Sequence, residues 1–302
     1  MAGQILDGKK ISAEILAELR SRIAALSRPP TLAVVLVGEN PASQIYVRNK
    51  IKAGHDLGIR SLEILPPGDI STESLLEQLT PLANDRSVDG ILVQMPLPPQ
   101  IDSERINSFV VDPSRDVDGF SPVSLGLLVA NKPGPRACTP AGIMEILKRY
   151  RIPIAGKNAV VVGRSDIVGK PMALMLLHEN ATVTICHSRT PDLAAHCRQA
   201  DILVAAIGRP AFLNELHIKP DAVVIDVGMN RLTDANVVHA LFAFDPARLA
   251  AFARTGSVLV GDVAPEPMRE LSSFYTPVPG GVGPLTIAML MANTVQLAEQ
   301  HA

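Results

Sequence analysis

Apolar positions within 11–27 (ISAEILAELRSRIAALS) recur at helical spacing. Ile11, Ile15, Leu16, Leu19, Ile23 and Leu26 share one face, which predicts an amphipathic helix. The pattern changes at TLAVVLVG (31–38) to a continuous apolar, β-branched run closed by glycine, as expected of a buried strand. Helical spacing returns over 43–58 (SQIYVRNKIKAGHDLG), with Ser43 as N-cap and Gly58 as stop. SLEILP then predicts a strand, STESLLEQLTPLAND a helix, and GILVQMP (90–96) a third strand. Such alternation predicts a parallel sheet covered on both faces by helices.

Between 96 and 140 the pattern dissolves into Pro-rich stretches, MPLPPQ, DPSRDVDGFSP and NKPGPRACTP, which read as long functional or connecting loops. TPAGIMEILKRY (139–150) resumes as a helix, with Thr139 at the N-cap and Pro140 in the first turn. A second alternating series follows: NAVVVG (158–163), GKPMALMLLHEN (169–180), TVTIC (182–186), PDLAAHCRQA, DILVAAIG, AVVIDVG (222–228) and SVLVGDV (257–263). The apolar stretch 285–300 (LTIAMLMANTVQLAEQ) closes the chain as a long helix with Pro284 at its threshold. The expected fold class is α/β in two domains divided near residue 139, with no obvious repeat between the halves.

Composition narrows the function classes. With 302 residues, 47% hydrophobic and 19% charged, the chain can bury a large core unaided. Lys plus Arg number 28 against 30 Asp plus Glu, so no basic excess points to nucleic acid. Three cysteines, an odd number, argue for a reducing compartment rather than a disulfide framework. MAGQILDGKK lacks a signal-peptide core, and no apolar run reaches the roughly 20 residues that span a bilayer. The expectation is a soluble, cytoplasmic protein with neither nucleic-acid nor membrane partners.

The strand VVVG runs into RSDIVGKPMALMLL, a strand, turn and helix in that order. Gly163 and Gly169 would let the backbone turn tightly and approach a phosphate at a helix N-terminus. Arg164 and Ser165 occupy the turn, so this is not the usual G-x-G-x-x-G; a tight structural turn is the other reading. At the end of the next strand, Cys186-His187-Ser188-Arg189-Thr190 offers no acid for a ribose 2′-hydroxyl before Asp192. A hydroxyl and guanidinium groups suit a 2′-phosphate, which favours NADP over NAD.

Tyr46 and Lys50 stand at i and i+4 on one predicted helix face, where a phenol can position an amine for proton transfer or form an ordinary surface pair. YxxxK also marks short-chain dehydrogenases, but there the nucleotide turn precedes the Tyr; here it follows. Gln94 ends a strand, either at a ligand site or as a plain strand-end cap. Asp116 and Asp118 fail as a calcium loop, because Leu125 falls where the bidentate Glu belongs. Cys186-His187 and His196-Cys197 show no CxxC or HxxxH spacing, so no metal is expected. TPVPGGVGPLT (276–286) is a side-chain-poor loop suited to close approach by a planar ligand, or to a purely structural turn.

Taken in order, YVRNK, GILVQMPLP, DVDGF, VVVGRSDIVGKP, CHSRT, VVIDVGMNR, VGDV and TPVPGGVGP closely resemble the bifunctional methylenetetrahydrofolate dehydrogenase/methenyltetrahydrofolate cyclohydrolase family over most of the chain. The resemblance implies an N-terminal folate and catalytic domain (1–138 plus 285–302) and a Rossmann-type NADP domain (139–284). Long helices would join them, with an active-site cleft between. It implies Lys50 as the catalytic group, with Tyr46 and Gln94 positioning folate and holding Lys50 in its working protonation state. Asp118 would anchor the pterin. Val93 and Met95, together with Pro279, Gly280, Gly281, Val282 and Gly283, would line the substrate, the last five also meeting the nicotinamide. Gly163, Arg164, Ser165, Ser188, Arg189, Thr286 and the backbone near Met229 would bind NADP. The implied partners are one-carbon derivatives of tetrahydrofolate, and a homodimer serving purine biosynthesis is implied as well.

Two departures stand out: Met229 replaces the family's usual Ile, and 230–256 looks longer than usual, with FDPARLAAFA as an extra short helix that either lies near the cofactor or, the favoured reading, decorates the surface. The competing readings are a dehydrogenase without efficient hydrolysis, and a folate or NADP binder without catalysis. The presence of Lys50 and Asp118 argues against both.

Overall fold

The computed structural model describes residues 3–109 and 114–301; the start of the DPSRDVDGFSP stretch lies outside the described residues. The first part of the chain runs β1 (Gln4–Ile5), α1 (Gly8–Ala24), β2 (Thr31–Val35), α2 (Pro41–Leu57), β3 (Arg60–Ile64), α3 (Thr72–Asn84), β4 (Gly90–Val93), α4 (Ser103–Phe109) and α5 (Pro122–Val129). It continues with α6 (Cys138–Arg149), β5 (Asn158–Val162), α7 (Gly169–His178), β6 (Thr182–Cys186), α8 (Leu193–Cys197), β7 (Ile202–Ala205) and a 3-10 turn at Glu215–His217. Then come β8 (Val223–Asp226), β9 (Asn230–Leu232), α9 (Ala235–Leu241), α10 (Pro246–Thr255), β10 (Val258–Val260), α11 (Pro265–Leu271), β11 (Phe274–Tyr275) and α12 (Val282–Gln300). Two compact units result: Ser12–Cys138 with the chain from Ile287 onward, and Thr139–Thr286 with the chain up to Ile11. Among the described residues no helix is long and apolar enough to cross a membrane.

The first unit is built on a parallel sheet ordered β3-β2-β4. β2 is buried at every position because it has a neighbour on each side and apolar layers on both faces. Ala33, Val35, Leu75, Leu79, Ile91 and Ile106 form its core. Asp89, fully buried ahead of β4, receives Nη1 and Nη2 of Arg28, both at 2.7 Å, and the N–H of Thr31 at 2.8 Å. Burial works against the charge, but these donors hold the Asp89 carboxyl below its ordinary value. The network ties the entries of β2 and β4 together.

Two readings of this half change. α2 begins earlier than Ser43: Asn40 Oδ1 accepts from the Ser43 N–H at 3.1 Å, and Pro41 takes the first helical position. The Pro-rich stretch contains α4 and α5, the latter capped by Ser121, whose Oγ accepts from Ser124 N–H at 3.1 Å. Eight mostly apolar residues present no polar face, so α5 lacks the periodicity that would reveal it.

The second unit carries a six-stranded parallel sheet ordered β1-β11-β8-β7-β5-β6. Its edge strand comes from the N-terminus, which the domain reading assigned to the other half. Gln4 N–H donates to Ser273 O and Leu6 N–H to Tyr275 O, each at 2.8 Å, and Leu6 is completely buried. A strand of two residues is too short to leave a period in the sequence. Gly8 is required there, since a Cβ would stand 1.7 Å from Gly281 O. One unit boundary falls between Cys138 and Thr139, and the last helix passes between units at residues 286 and 287.

The segment 230–256 forms two helices rather than one, and β9 pairs antiparallel with β10 outside the main sheet. Val238, Phe242, Val258 and Val260 make a buried core of their own, packed by Leu249 and Phe252.

Where β7 and β8 end, two buried carboxylates gather the backbone. Asp226 accepts from the N–H groups of Gly228 (2.9 Å), Asp262 (2.8 Å) and Val263 (2.9 Å). Asp262 accepts from Ile207 (2.7 Å), Gly208 (2.9 Å) and Arg209 (2.9 Å), and from Asn230 Nδ2 (3.0 Å). A Cβ on Gly261 would stand 1.8 Å from Asp226 Oδ2, so only glycine admits this carboxylate. Asp226→Ala strands three backbone donors, each worth about 1–3 kcal/mol when buried and unmet. It should lower the thermal midpoint far more than Asp192→Ala, which removes only an exposed α8 cap worth ~1 kcal/mol. Equal shifts in a side-by-side melt would contradict the clamp.

Candidate active site and nucleotide site

α2 sets Tyr46 and Lys50 one turn apart. Lys50 is 8% exposed, and its Nζ donates to Gln94 Oε1 at 3.0 Å. Gln94 follows β4, held by its own N–H on Val35 O at 2.9 Å, while its Nε2 donates to Met95 O. That second bond fixes the amide so that its carbonyl faces the lysine. Tyr46 is 42% exposed, and partial burial pushes its phenol above the ordinary value. Val93 is buried at the strand end, and Met95 is partly exposed beyond it. The buried lysine therefore sits at the carboxyl ends of parallel strands, where α/β sheets bind ligands.

Asp118 belongs to the same electrostatic neighbourhood. Burial, seconded by Asp116, pushes its carboxyl up to about 6, against the pull of Lys50. The backbone that carries it is fixed by Asp116, a residue that the sequence reading weighed only as a calcium ligand. Asp116 Oδ1 accepts from Gly119 N–H (2.9 Å) and Phe120 N–H (3.3 Å), and Oδ2 from Ser121 N–H (2.8 Å). Gly119 has φ +69°, and a Cβ would stand 2.5 Å from the Arg136 carbonyl carbon. Asn293 of α12, missed altogether, donates its amide to Val117 O (2.8 Å) and Arg136 O (2.9 Å). The Asp-x-x-Gly spacing of a side-chain-capped turn was a usable signal for Asp116; Asn293 lies 176 residues from Val117 and had none.

In the other unit, Gly163 closes β5 with φ +135°, and a Cβ there would stand 2.2 Å from Ala206 O. A Cβ on Gly169 would meet Gly163 O at 2.4 Å. Both glycines are thus fixed by backbone packing at the start of α7. Ser165 Oγ accepts from the N–H groups of Val168 and Gly169, each at 3.3 Å, and orders the turn. Arg164 and Ser165 are exposed after β5, and Ser188 and Arg189 after β6. His187 Nδ1 accepts the Arg189 N–H at 3.2 Å, fixing that second turn. Asp192, the first acid beyond it, spends its carboxylate on the Ala195 N–H at 3.1 Å as an α8 cap. The donor set, hydroxyls and guanidinium groups with no committed acid, fits a nucleotide carrying a 2′-phosphate.

Pro279–Gly283 is fixed by Gly281 N–H on Pro277 O at 2.8 Å; Gly280 takes φ +110° and Val282 is buried. Met229, 44% exposed, reaches toward Gly283, where a Cβ would lie 3.7 Å from its Cε. Thr286 Oγ1 pairs with Thr139 Oγ1 at 3.0 Å, so Thr139 is not the α6 cap: the helix already begins at Cys138. Cys186 and Cys197 are buried in the apolar core of this unit.

Two family models match the chain: the tetrahydrofolate dehydrogenase/cyclohydrolase catalytic domain over residues 6–118, and the NAD(P)-binding domain of the same family over 137–302. The bifunctional protein FolD of Solibacter usitatus is 61% identical over 302 residues, covering 99% of this chain and 98% of that protein. That of Koribacter versatilis is 56% identical at the same coverage. Among solved structures, bifunctional FolD methylenetetrahydrofolate dehydrogenase/cyclohydrolase from Campylobacter jejuni superposes with TM-score 0.90 at 43% identity, covering all of both chains. The Trypanosoma brucei methylenetetrahydrofolate dehydrogenase-cyclohydrolase, solved with NADP and an inhibitor, gives 0.88 at 35% identity, covering 99% of this chain and 98% of that one. This chain belongs to the tetrahydrofolate dehydrogenase/cyclohydrolase family.

Proposed function

We propose that this chain oxidises methylenetetrahydrofolate to methenyltetrahydrofolate with NADP and hydrolyses the product to formyltetrahydrofolate, with Lys50 shared by both steps. The observation that carries the reading is the buried Lys50 Nζ held 3.0 Å from Gln94 Oε1 at the end of β4. Bound NADP supplies the hydride acceptor. The two nitrogens flanking the methylene carbon delocalise the cation left behind, so the residues' task in this step is orientation.

Hydrolysis needs proton handling. Water adds to the amidinium carbon and loses a proton; the carbon–nitrogen bond then breaks and the departing nitrogen takes a proton. Lys50 carries that proton from one atom to the other, with Gln94 and Tyr46 keeping its Nζ in place. The Asp118 carboxylate accepts N–H bonds from the pterin, and Val93 and Met95 flank the ring. Pro279, Gly280, Gly281, Val282 and Gly283 meet substrate and nicotinamide. Gly163, Arg164, Ser165, Ser188, Arg189, Met229 and Thr286 hold NADP, the guanidinium groups on its 2′-phosphate. A cytoplasmic homodimer feeding purine biosynthesis completes the proposal.

Lys50→Met tests the shared role. With methenyl and formyl products followed separately, wild type should form both with NADP, and the variant should lose hydrolysis by about 10²–10⁴-fold. Wild type that accumulates methenyltetrahydrofolate instead would establish the dehydrogenase-only alternative.

Asp118 gives a pH signature. A carboxyl pushed up to about 6 accepts pterin N–H bonds above that pH and loses this capacity as it protonates below it. Tetrahydrofolate affinity, measured by calorimetry between pH 5 and 8, should weaken toward the acid end in wild type. It should be weak and nearly flat in Asp118→Asn. A flat wild-type profile would count against the anchor.

A further inference from the structure

Arg248 stands at the start of α10, in the segment whose pattern suggests surface decoration. Its Nη1 donates to Leu259 O at 3.0 Å and its Nη2 donates to Val278 O. The guanidinium lies over the Phe242 ring, 5.0 Å from the centroid. Phe242 is only 1% exposed, so this platform is anchored in the small core of α9, α10 and β10. The start of α10 is fixed in turn by Asp245 Oδ1, which accepts the Arg248 N–H at 3.1 Å.

Val278 lies between two prolines, neither of which has an N–H to donate. Behind it is a cavity of about 830 Å³, lined by Phe242, Phe244, Tyr275, Pro277 and Pro279 as well as Arg248. Arg248 spans the gap and grips the carbonyl immediately before Pro279, with a second bond to β10 fixing the direction of the fork.

We propose that Arg248 is a positioning residue for the dehydrogenase step, setting Pro279–Gly283 where that loop aligns substrate and nicotinamide. The inference rests on the proposed function of the loop. Hydride transfer depends steeply on alignment, whereas hydrolysis of preformed methenyltetrahydrofolate proceeds without a nicotinamide. Hydrolysis keeps only the loop's contact with the substrate and needs no second ligand aligned to it, so loss of the strut should depress it far less than hydride transfer.

The test compares wild type, Arg248→Met, Arg248→Lys and the exposed control Arg254→Met. Dehydrogenase kcat is measured with methylenetetrahydrofolate and NADP, cyclohydrolase with methenyltetrahydrofolate alone, NADPH affinity by its fluorescence, and folding by thermal melt. Arg248→Met should lose about 10- to 100-fold in dehydrogenase kcat. Cyclohydrolase and NADPH affinity should stay within about threefold of wild type. Arg248→Lys should recover part of the loss through one retained carbonyl bond, and Arg254→Met should match wild type. Parallel loss of both activities would reduce Arg248 to a structural role, and an unchanged dehydrogenase would overturn the proposal. Wild type lacking dehydrogenase activity would overturn the function reading and the proposal together.

Discussion

Parallel sheets leave backbone N–H groups in the loops after their strands, and in this chain buried carboxylates take them up. Asp226 and Asp262 together accept six backbone N–H bonds after β7, β8 and β10. Asp116 accepts three more around the loop that carries Asp118. An unmet buried N–H costs about 1–3 kcal/mol, so these loops hold their shape only while the carboxylates are present. The glycines follow from the same constraint: Gly228 and Gly261 are small because Asp262 and Asp226 occupy the space of a Cβ. Motifs such as VVIDVG and VGDV are thus halves of one object, separated in sequence by β9, α9 and α10.

The device has an electrostatic side. Burial, with Asp262 adding to it, pushes the Asp226 carboxyl up to about 7 despite its N–H donors. Asp118 is likewise raised by burial and by Asp116, but Lys50 pulls it back. The first carboxylate is 1% exposed and takes up three backbone N–H groups. Asp118 instead lies within the electrostatic reach of Lys50. Similar desolvation therefore yields a structural clamp in one place and a group suited to ligand chemistry in the other.

Legibility in the sequence followed periodicity and length. β2, β5, β6 and the long helices were readable because continuous β-branched runs and helical spacing extend over enough residues. β1, β11 and α5 were not: two-residue strands and an apolar eight-residue helix have no period, and tertiary pairing alone defines them. The Lys50–Gln94 contact spans 44 residues, so spacing placed both at candidate positions and only the family resemblance joined them. Asp116 was visible, but with the calcium reading excluded by spacing no role was left for it, because its partners are backbone N–H groups, which carry no residue identity. Arg248 was unreadable for a further reason: its value lies in two carbonyls, and backbone acceptors carry no residue identity.

Side-chain cations on backbone carbonyls and carboxylates on backbone N–H groups are opposite solutions to one problem, and each loop uses the one its composition permits. Around Asp226 and Asp262 the loops are rich in N–H donors, so an acid organises them. Pro277 and Pro279 leave their loop poor in donors but not in acceptors, so an arginine must do so. A lysine in place of Arg248 would offer a point charge where a fork is needed to bridge Leu259 and Val278. The choice of residue at 248 is thus dictated by the prolines some thirty positions later. The segment that carries Arg248 needs a hydrophobic core of its own, because a strut is only as rigid as its base. Phe242, Val238 and the paired β9 and β10 supply that base.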